Sequence, residues 1–406
     1  MHPAGRMKSI PSGVWILGLV SLLMDVSSEM IHALLPIYLV TVLGASMLTV
    51  GFIEGIAEAT AMIVKIFSGA LSDRLGKRKL LAAIGYGLAA FTKPIFPLAT
   101  GIGWIVAARF VDRIGKGIRG APRDALIADL SPAEVRGASF GLRQSLDTVG
   151  AFIGPLAAIG LMALTANSFT TVFWIAVIPA FLSFALISFG VKEPERKSVP
   201  GEPRPRPRLS DVGRLSTAYW MVVALSAVLT LARFSEAFLI LRAQNVGMPI
   251  ALVPAIMVMM NIVYAFTAYP AGVVSDRFGR EGVIAIGVAS LIVADIALAF
   301  AGNVTLVLVG VAFWGLHMGL TQGLFAALVA DTAPEDLRGT AFGLFNFAAG
   351  LAMLAASVMA GALWDQFGPG ATFIAGAGIS VVSLLGFVLL SQHLRRRSPV
   401  TATPES

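Results

Sequence analysis

The 406-residue chain contains no cysteine, which removes disulfides, thiolate nucleophiles and Cys-ligated zinc from its chemistry. Histidine is nearly as scarce. His2, His32, His317 and His393 are the whole set, and no HExxH spacing occurs among them. A nucleophile, metal or acid-base constellation has little to be built from, so the expectation is no enzyme, no metal, no cofactor and no catalytic residue. Charge is thin as well, with only 13% Asp, Glu, Lys and Arg, well below a soluble globular protein. The apolar runs are continuous rather than alternating, which excludes a membrane β-barrel. No repeated pore or filter segment suggests a channel.

What is abundant is apolar sequence: 57% of residues are hydrophobic and the mean hydropathy is +0.83. A helical crossing of a bilayer takes about 20 mostly apolar residues. Apolar runs between turn signals predict helices over 14–43, 48–72, 80–99, 102–121, 137–165 and 168–190. A second set follows over 217–246, 249–274, 282–301, 304–330, 339–366 and 370–393. The fold class is therefore an all-α membrane protein of twelve transmembrane helices, with the lipid bilayer as its solvent.

A pI of about 9.9 and a net charge of +7 could suggest nucleic acid, but the positions of the charges follow a membrane rule. Alternate connections, at 44–46, 100–103, around 165–168, 245–249 and 301–303, carry no Lys or Arg. The other side carries Arg6, Lys8, Arg74, Lys77, Arg78, Lys79, Arg123, Arg136, Arg277, Arg280, Arg338 and Arg395 to Arg397. Positive charge stays inside, which puts both termini in the cytoplasm and the chain in the inner, cytoplasmic membrane. Arg6 and Lys8 before an apolar run look like a signal peptide. Asp25 and Glu29 interrupt that run, so it reads as an uncleaved first helix. Prolines at 194, 200, 203, 205 and 207 mark 191–216 as a stiff cytoplasmic linker. It separates a six-helix bundle over 1–190 from another over 217–393, and 394–406 forms a cytoplasmic tail.

The two bundles repeat each other. GALSDRLGKR from Gly69 recurs as GVVSDRFGR from Gly272, an offset of 203 residues. ALIADLSPAEVRGASFGL around Asp129 recurs as ALVADTAPEDLRGTAFGL around Asp331, at an offset of 202. Two segments at nearly one offset imply duplicated halves, and such halves place a substrate site between them near mid-bilayer.

Gly69, Asp73, Arg74, Gly76, Lys77 and Arg78 resemble the signature between helices two and three of the major facilitator superfamily. Gly272, Asp276, Arg277, Gly279 and Arg280 resemble its second copy. The resemblance covers the whole chain apart from the linker and tails. It implies a monomeric secondary transporter of a small-molecule substrate. It also implies a cytoplasmic gate, in which Asp73 meets the start of helix eleven and Asp276 that of helix five, where free N–H groups favour a carboxylate. Gly69 and Gly272 are expected to permit close approach. Gly141, Gly150, Gly154 and Pro155 resemble the fifth-helix pattern of proton-coupled exporters, although Ala158 and Ile159 replace its final glycines. Small-residue helix packing gives Gly150 and Gly154 an alternative reason to exist.

Ionisable residues at membrane depth carry the chemistry. The first five helices hold Asp25, Glu29, Glu54, Glu58, Asp112 and Asp147 against Lys65, Lys93, Arg109, Arg113, Lys116 and Arg143. Facing lipid, twelve such charges would cost about 30 kcal/mol or more at 2.5 to 3.5 each. Most must face one another or a wet cavity, while Glu54 and Lys116 are near enough to helix ends to snorkel. Asp25, Glu29 and His32 share one stripe of the first helix, and Arg109, Asp112, Arg113 and Lys116 share one of the fourth. RIGKGIRGA, with Arg113, resembles the family's RxxQGxxxA element, whose arginine is associated with the proton site. Glu58 with Lys65, and Arg143 with Asp147, read as structural pairs. Asp25 and Glu29 have no basic partner on their own helix, which favours them as proton carriers. His32 divides evenly between a packing and a cavity role. Arg233 and Glu236 on the seventh helix are candidates for the opposite wall, the resemblance adds His317 on a cavity-lining tenth helix, and Asp295 is left without a role. The resulting expectation is proton-coupled efflux of a small organic solute. The basic fourth helix keeps proton-coupled uptake of an organic anion open as the alternative.

Overall fold

The computed structural model describes residues 10–75, 77–193, 209–278, 280–334 and 337–397. Twelve helical segments order the chain: α1 (Ser12–Thr41), α2 (Met47–Leu75), α3 (Arg78–Leu98), α4 (Ile102–Leu130), α5 (Arg136–Leu164) and α6 (Phe169–Gly190), then α7 (Thr217–Asn245), α8 (Ala255–Phe278), α9 (Arg280–Ala299), α10 (Val304–Thr332), α11 (Arg338–Phe367) and α12 (Pro369–Arg397). An even number of segments puts the start of α1 and the end of α12 on one face. Eleven of these segments are long and apolar enough to cross a membrane. The exception by composition is α4, which carries eight Asp, Lys and Arg residues. Its 29 residues still make a rod of about 43 Å. It runs nine residues past the expected end at 121, straight through Pro122. Most of the expected linker, 194–208, lies outside the described residues.

Side-chain caps and turns set several boundaries. Ser168, Ser216 and Asn303 accept from Thr171, Tyr219 and Leu306 amides at 3.3, 3.1 and 2.9 Å, satisfying donors that a helix start leaves free. Gly368 turns α11 directly into α12 at φ 85°, where a side chain would be strained. The expected first helix is interrupted at Ala33 and Leu34, with Pro36 in the first turn of its second piece, which starts at Leu35. The seventh breaks over 233–236, between Ala232 and Ala237.

Three apolar cores fix how the halves meet. The largest joins both halves on the face away from the chain ends, through Ile37, Phe96 and Phe173 of one half and Phe238, Trp314 and Trp364 of the other. Nearer the chain ends lie two separate cores. Val14, Leu17, Tyr86 and Ile187 belong to the first half, and Tyr219, Val222, Val329 and Ala341 to the second. The halves are thus joined by one core on the far face, whereas toward the chain ends each half has a core of its own and α2 still touches α11 at Ile66 and Gly343. The seam between α2 and α11 is closest, with Gly51 against the Ser357 carbonyl and Gly361 against that of Met47.

Candidate functional site

The cleft between the halves is lined on one side by α1, α2, α4 and α5. Asp25, Glu29 and His32 lie along one stripe of α1, and α5 presses against that stripe. A Cβ on Gly150 would stand 2.7 Å from the Leu22 carbonyl and 3.0 Å from Asp25 Cβ. One on Gly154 would stand 2.7 Å from Glu29 Cβ. The spacing of the fifth-helix glycines therefore seats α5 on the two acids. Pro155 is buried within α5, and a Cβ on Gly141 would meet nothing within 4 Å.

Between α1, α2 and α4 the charges pair. Arg109 donates from Nη2 to Glu54 Oε2 at 2.7 Å, and His32 Nε2 stands 3.4 Å from the same oxygen. His32 Nδ1 is 3.6 Å from Glu29 Oε2, so a single imidazole spans an acid of α1 and one of α2. Glu29 consequently has a partner on its own helix, one turn on, contrary to expectation. Glu54 is fully buried rather than snorkelling, because Arg109 and His32 reach it. Arg113 Nη1 meets Glu58 Oε1 at 3.2 Å, where the sequence suggested Lys65. Seven residues along a helix is about 10.5 Å, too far for Glu58 and Lys65 to pair directly. Asp112 takes Lys93 Nζ at 3.0 Å and Arg113 Nε at 3.5 Å, and the same ammonium donates to Ser28 at 3.1 Å.

Toward the chain ends a second cluster follows. Arg143 Nη2 holds Asp147 Oδ2 at 2.7 Å, one helical turn apart, as the spacing indicated. Arg123 Nη1 lies 3.9 Å from Asp147 and donates to Ser21 at 2.9 Å. Ser21 is 3.1 Å from the Tyr86 hydroxyl, and Arg119 stacks 4.9 Å above the Tyr86 ring. Asp25 has no ion pair within 4 Å among the described residues, but Asp147, Arg119 and Lys116 lie within electrostatic reach of it. Lys116 is exposed in mid-helix rather than at an end.

The facing wall is sparse. Arg233 and Glu236 sit in the break of α7, half-buried, and Glu236 is within electrostatic reach of His32 and Glu58 across the cleft. His317 is not in the cleft surface. It is wholly buried, with Nδ1 2.8 Å from the Gly287 carbonyl of α9.

On the far face Asp365, near the end of α11, accepts from the Met47 and Leu48 amides at 3.0 and 2.9 Å. A carboxylate of one half thereby caps the first turn of a helix of the other. The expected gate residues fall largely out of view: Gly76 and Gly279, and the side chains of Asp73, Arg74, Asp276 and Arg277, lie outside the described residues. Close approach is not what Gly69 and Gly272 provide. A Cβ on Gly69 would meet Ala121 at an ordinary 3.6 Å, and one on Gly272 would meet nothing within 4 Å. Arg78, closing the first signature, pairs with Asp129 and donates to the Ala125 carbonyl at 3.0 Å, tying α3 to α4.

Glu58, Lys93 and Asp147 are counted among the membrane-depth ions by the sequence but not as cavity candidates, and Arg123 and Tyr86 join the network unforeseen. The only sequence signal was a charge or phenol inside an apolar run. Asp365 had no signal at all, since its partner is backbone.

A family model described as Major Facilitator Superfamily matches residues 17–356 and 222–406. An uncharacterized MFS-type transporter of Methanocaldococcus jannaschii is 34% identical over 393 residues, covering 94% of this chain and 95% of that one. The quinolone resistance protein NorA of Staphylococcus aureus is 27% identical over 197 residues, 48% of each chain. Among solved structures, the nucleoside transporter NupG superposes with a TM-score of 0.76 at 14% identity, over 94% of this chain and 100% of that one.

Proposed function

The chain belongs to the major facilitator superfamily of membrane transporters, and we propose that it is a proton-coupled exporter of a small organic solute. In this reading it lies in the cytoplasmic membrane with both chain ends inside, following the basic residues of that face. The observation that carries the coupling is the stripe of Asp25 and Glu29, seated on Gly150 and Gly154 and within reach of Lys116 and Arg113. Two acids at membrane depth, facing a cleft rather than lipid, are the economical place for an exchangeable proton. A carrier alternates between a protonated and a substrate-bound state, each favouring one opening of the cleft, and differential affinity does the coupling.

The direction rests on the fifth-helix glycines and the partial similarity to a quinolone resistance protein. The near balance of acids and bases in the first half suits a zwitterionic or anionic solute better than a lipophilic cation. Arg113, bridging Glu58 and Asp112, is the group that tunes the proton site. The gate has two ends in this reading. Asp73 and Asp276 hold the cytoplasmic side when it closes, and Asp365 holds the far side.

The test uses purified protein in proteoliposomes with an imposed pH gradient, and a solute found by thermal-shift screening that begins with quinolones. Wild type should accumulate it against a concentration gradient. Glu29→Gln or Asp25→Asn should lose gradient-driven flux by roughly 5- to 150-fold, the span of a 1 to 3 kcal/mol coupling, while solute exchange without a gradient persists. Arg113→Ala should displace the pH profile of flux. Wild-type flux indifferent to the gradient, or full coupling in both carboxylate variants, would refute the assignment.

A further inference from the structure

Asp295 has no part in the cleft, yet it is the one acid deep within the α8 to α12 region of the sequence. It is wholly buried in α9, and neither carboxyl oxygen has a hydrogen-bond partner among the described residues. Its Oδ2 faces α12 at Gly376, where an added Cβ would stand 2.7 Å from it and 3.2 Å from the Phe234 ring. Phe234 belongs to the break in α7, immediately after Arg233. That ring also packs on Trp314, Phe238 and Phe373 at centroid distances of 5.4, 5.6 and 5.5 Å.

The level of Trp314 follows from the register of α9 on α10. Gly310 sits against Leu298 and Ala294, and Gly287 against Leu320 and Thr321, which puts Trp314 level with Leu291 to Val293, about one turn from Asp295 along α9. Its Nε1–H is a buried donor without a partner. Ser380, one turn from Gly376 on α12, has a buried hydroxyl in the same condition. Unmatched acceptors and donors thus gather where α9, α10, α12 and the α7 break meet.

Compensating charge is lacking there. The titratable groups of α9 and the surrounding elements are Arg280 and Glu281 at the far start of α9, His317 and Asp331 on α10, Tyr264, Tyr269, Asp276 and Arg277 on α8, and Tyr219, Arg233, Glu236 and Arg242 on α7. The described part of α12 that faces α9 has none. Arg242 does reach α9, but its guanidinium is committed to the Leu298, Ala299 and Ala301 carbonyls and to Asn245. His317 touches α9 two turns away, at Gly287. A carboxylate in this wall would be buried without a counter-charge, whereas the neutral acid offers an O–H donor as well as an acceptor.

We propose that Asp295 is a second proton-binding site, in the other half from Asp25 and Glu29, which takes up and releases a proton behind the α7 break. Its proton would be felt at the cleft through Phe234, one residue from Arg233. This adds a site to the coupled reading and requires neither the direction nor the substrate of transport.

The experiment uses the full-length protein in liposomes and a lipid-soluble carbodiimide, which attacks carboxyls only in their protonated form. Mass spectrometry should find the adduct on Asp295 at acidic pH, falling severalfold at alkaline pH. In parallel, melting temperatures of wild type and Asp295→Asn are compared across pH. An exchanging proton makes their difference vary with pH, while a merely packed side chain leaves it constant. The labelling arm is read on wild type, so a variant that folds poorly does not remove it. No adduct at acidic pH overturns the site, and so does an adduct indifferent to pH with a constant melting difference. Neither arm measures flux, so failure of gradient-driven transport with pH-dependent labelling would sink the coupling alone and leave Asp295 standing.

Discussion

The two halves share a six-helix plan and differ in what they place inside it. Helices α1 to α5 bury or half-bury a continuous set of charges, from Asp25 through Glu54, Arg109, Asp112 and Arg123 to Asp147. In α7 to α12 the deep charges are Arg233, Glu236, Arg242 and Asp295. Duplication thus kept the scaffold while the polar chemistry gathered in one copy. The physical reason is mutual support: a buried charge is tolerable beside an opposite one, so each new ion in the first half lowers the cost of the next. The second half supplies an apolar wall with isolated polar groups, some held chiefly by backbone carbonyls, as Arg242 and His317 are, and others, such as Asp295, without a hydrogen-bond partner among the described residues.

Removing one member of a pair should separate the halves most sharply. Arg109→Met leaves Glu54 buried with only His32 at 3.4 Å, and should cost about 3 to 5 kcal/mol of stability. The matching deletion in the other half, Arg242→Met, frees carbonyls at the end of α9 and should cost about 1 to 3 kcal/mol. Thermal melts of the purified variants rank the two. Arg109→Met with Glu54→Met should recover much of the loss, because no lone ion remains. If Arg242→Met proved as damaging as Arg109→Met, the halves would not differ in the way argued.

A smaller change tests the seam that carries the acids. At the 202-residue offset, Gly150 and Gly154 correspond to Ala352 and Ala356, so the second half already has the methyl groups that the first lacks. Gly154→Ala would drive a methyl to 2.7 Å from Glu29 Cβ, and overpacking of this kind costs about 1 to 3 kcal/mol. Gradient-driven flux should fall with it, since α1 and its acids shift. Ala356→Gly, the reverse change in the other half, should leave flux near wild type. Wild-type flux in Gly154→Ala would mean that the glycine is merely tolerated there.

Twelve crossings, the duplicated halves and the family were legible because apolar length and repeated motifs are local properties of the chain. So was Arg143 with Asp147, a pair one turn apart. The rest of the site was not, for a geometric reason. Glu54 and Arg109 are 55 positions apart, and nothing in either helix says which turn of α4 faces which turn of α2. Sequence pairing by stripe then chose Lys65 for Glu58 and overlooked Arg113. The same blindness hid the meaning of the fifth-helix glycines, which became visible only with Asp25 and Glu29 in contact with them.

The smallest effect should come from the far-side cap, where the asymmetry between halves recurs. Asp365 caps α2 from α11, but the corresponding place on α5 is Ala163. The matching seam, α5 on α8, has instead a single long bond of 3.5 Å from Asn261 to the Ala151 carbonyl. One carboxylate therefore holds the far face shut on one seam only. Asp365→Asn keeps the shape and removes the charge opposite the helix dipole, a loss of about 0.3 to 1 kcal/mol. That bias multiplies the population open on the far face by roughly two- to fivefold. The chain has no cysteine, so a single cysteine replacing Val50, buried in the shared far-face core, reports opening without background. Its reaction with a membrane-impermeant maleimide added from the far side should accelerate by that factor in the Asp365→Asn background. An unchanged rate would show that the α2 cap bears none of the closure, and that the apolar core alone keeps the halves together.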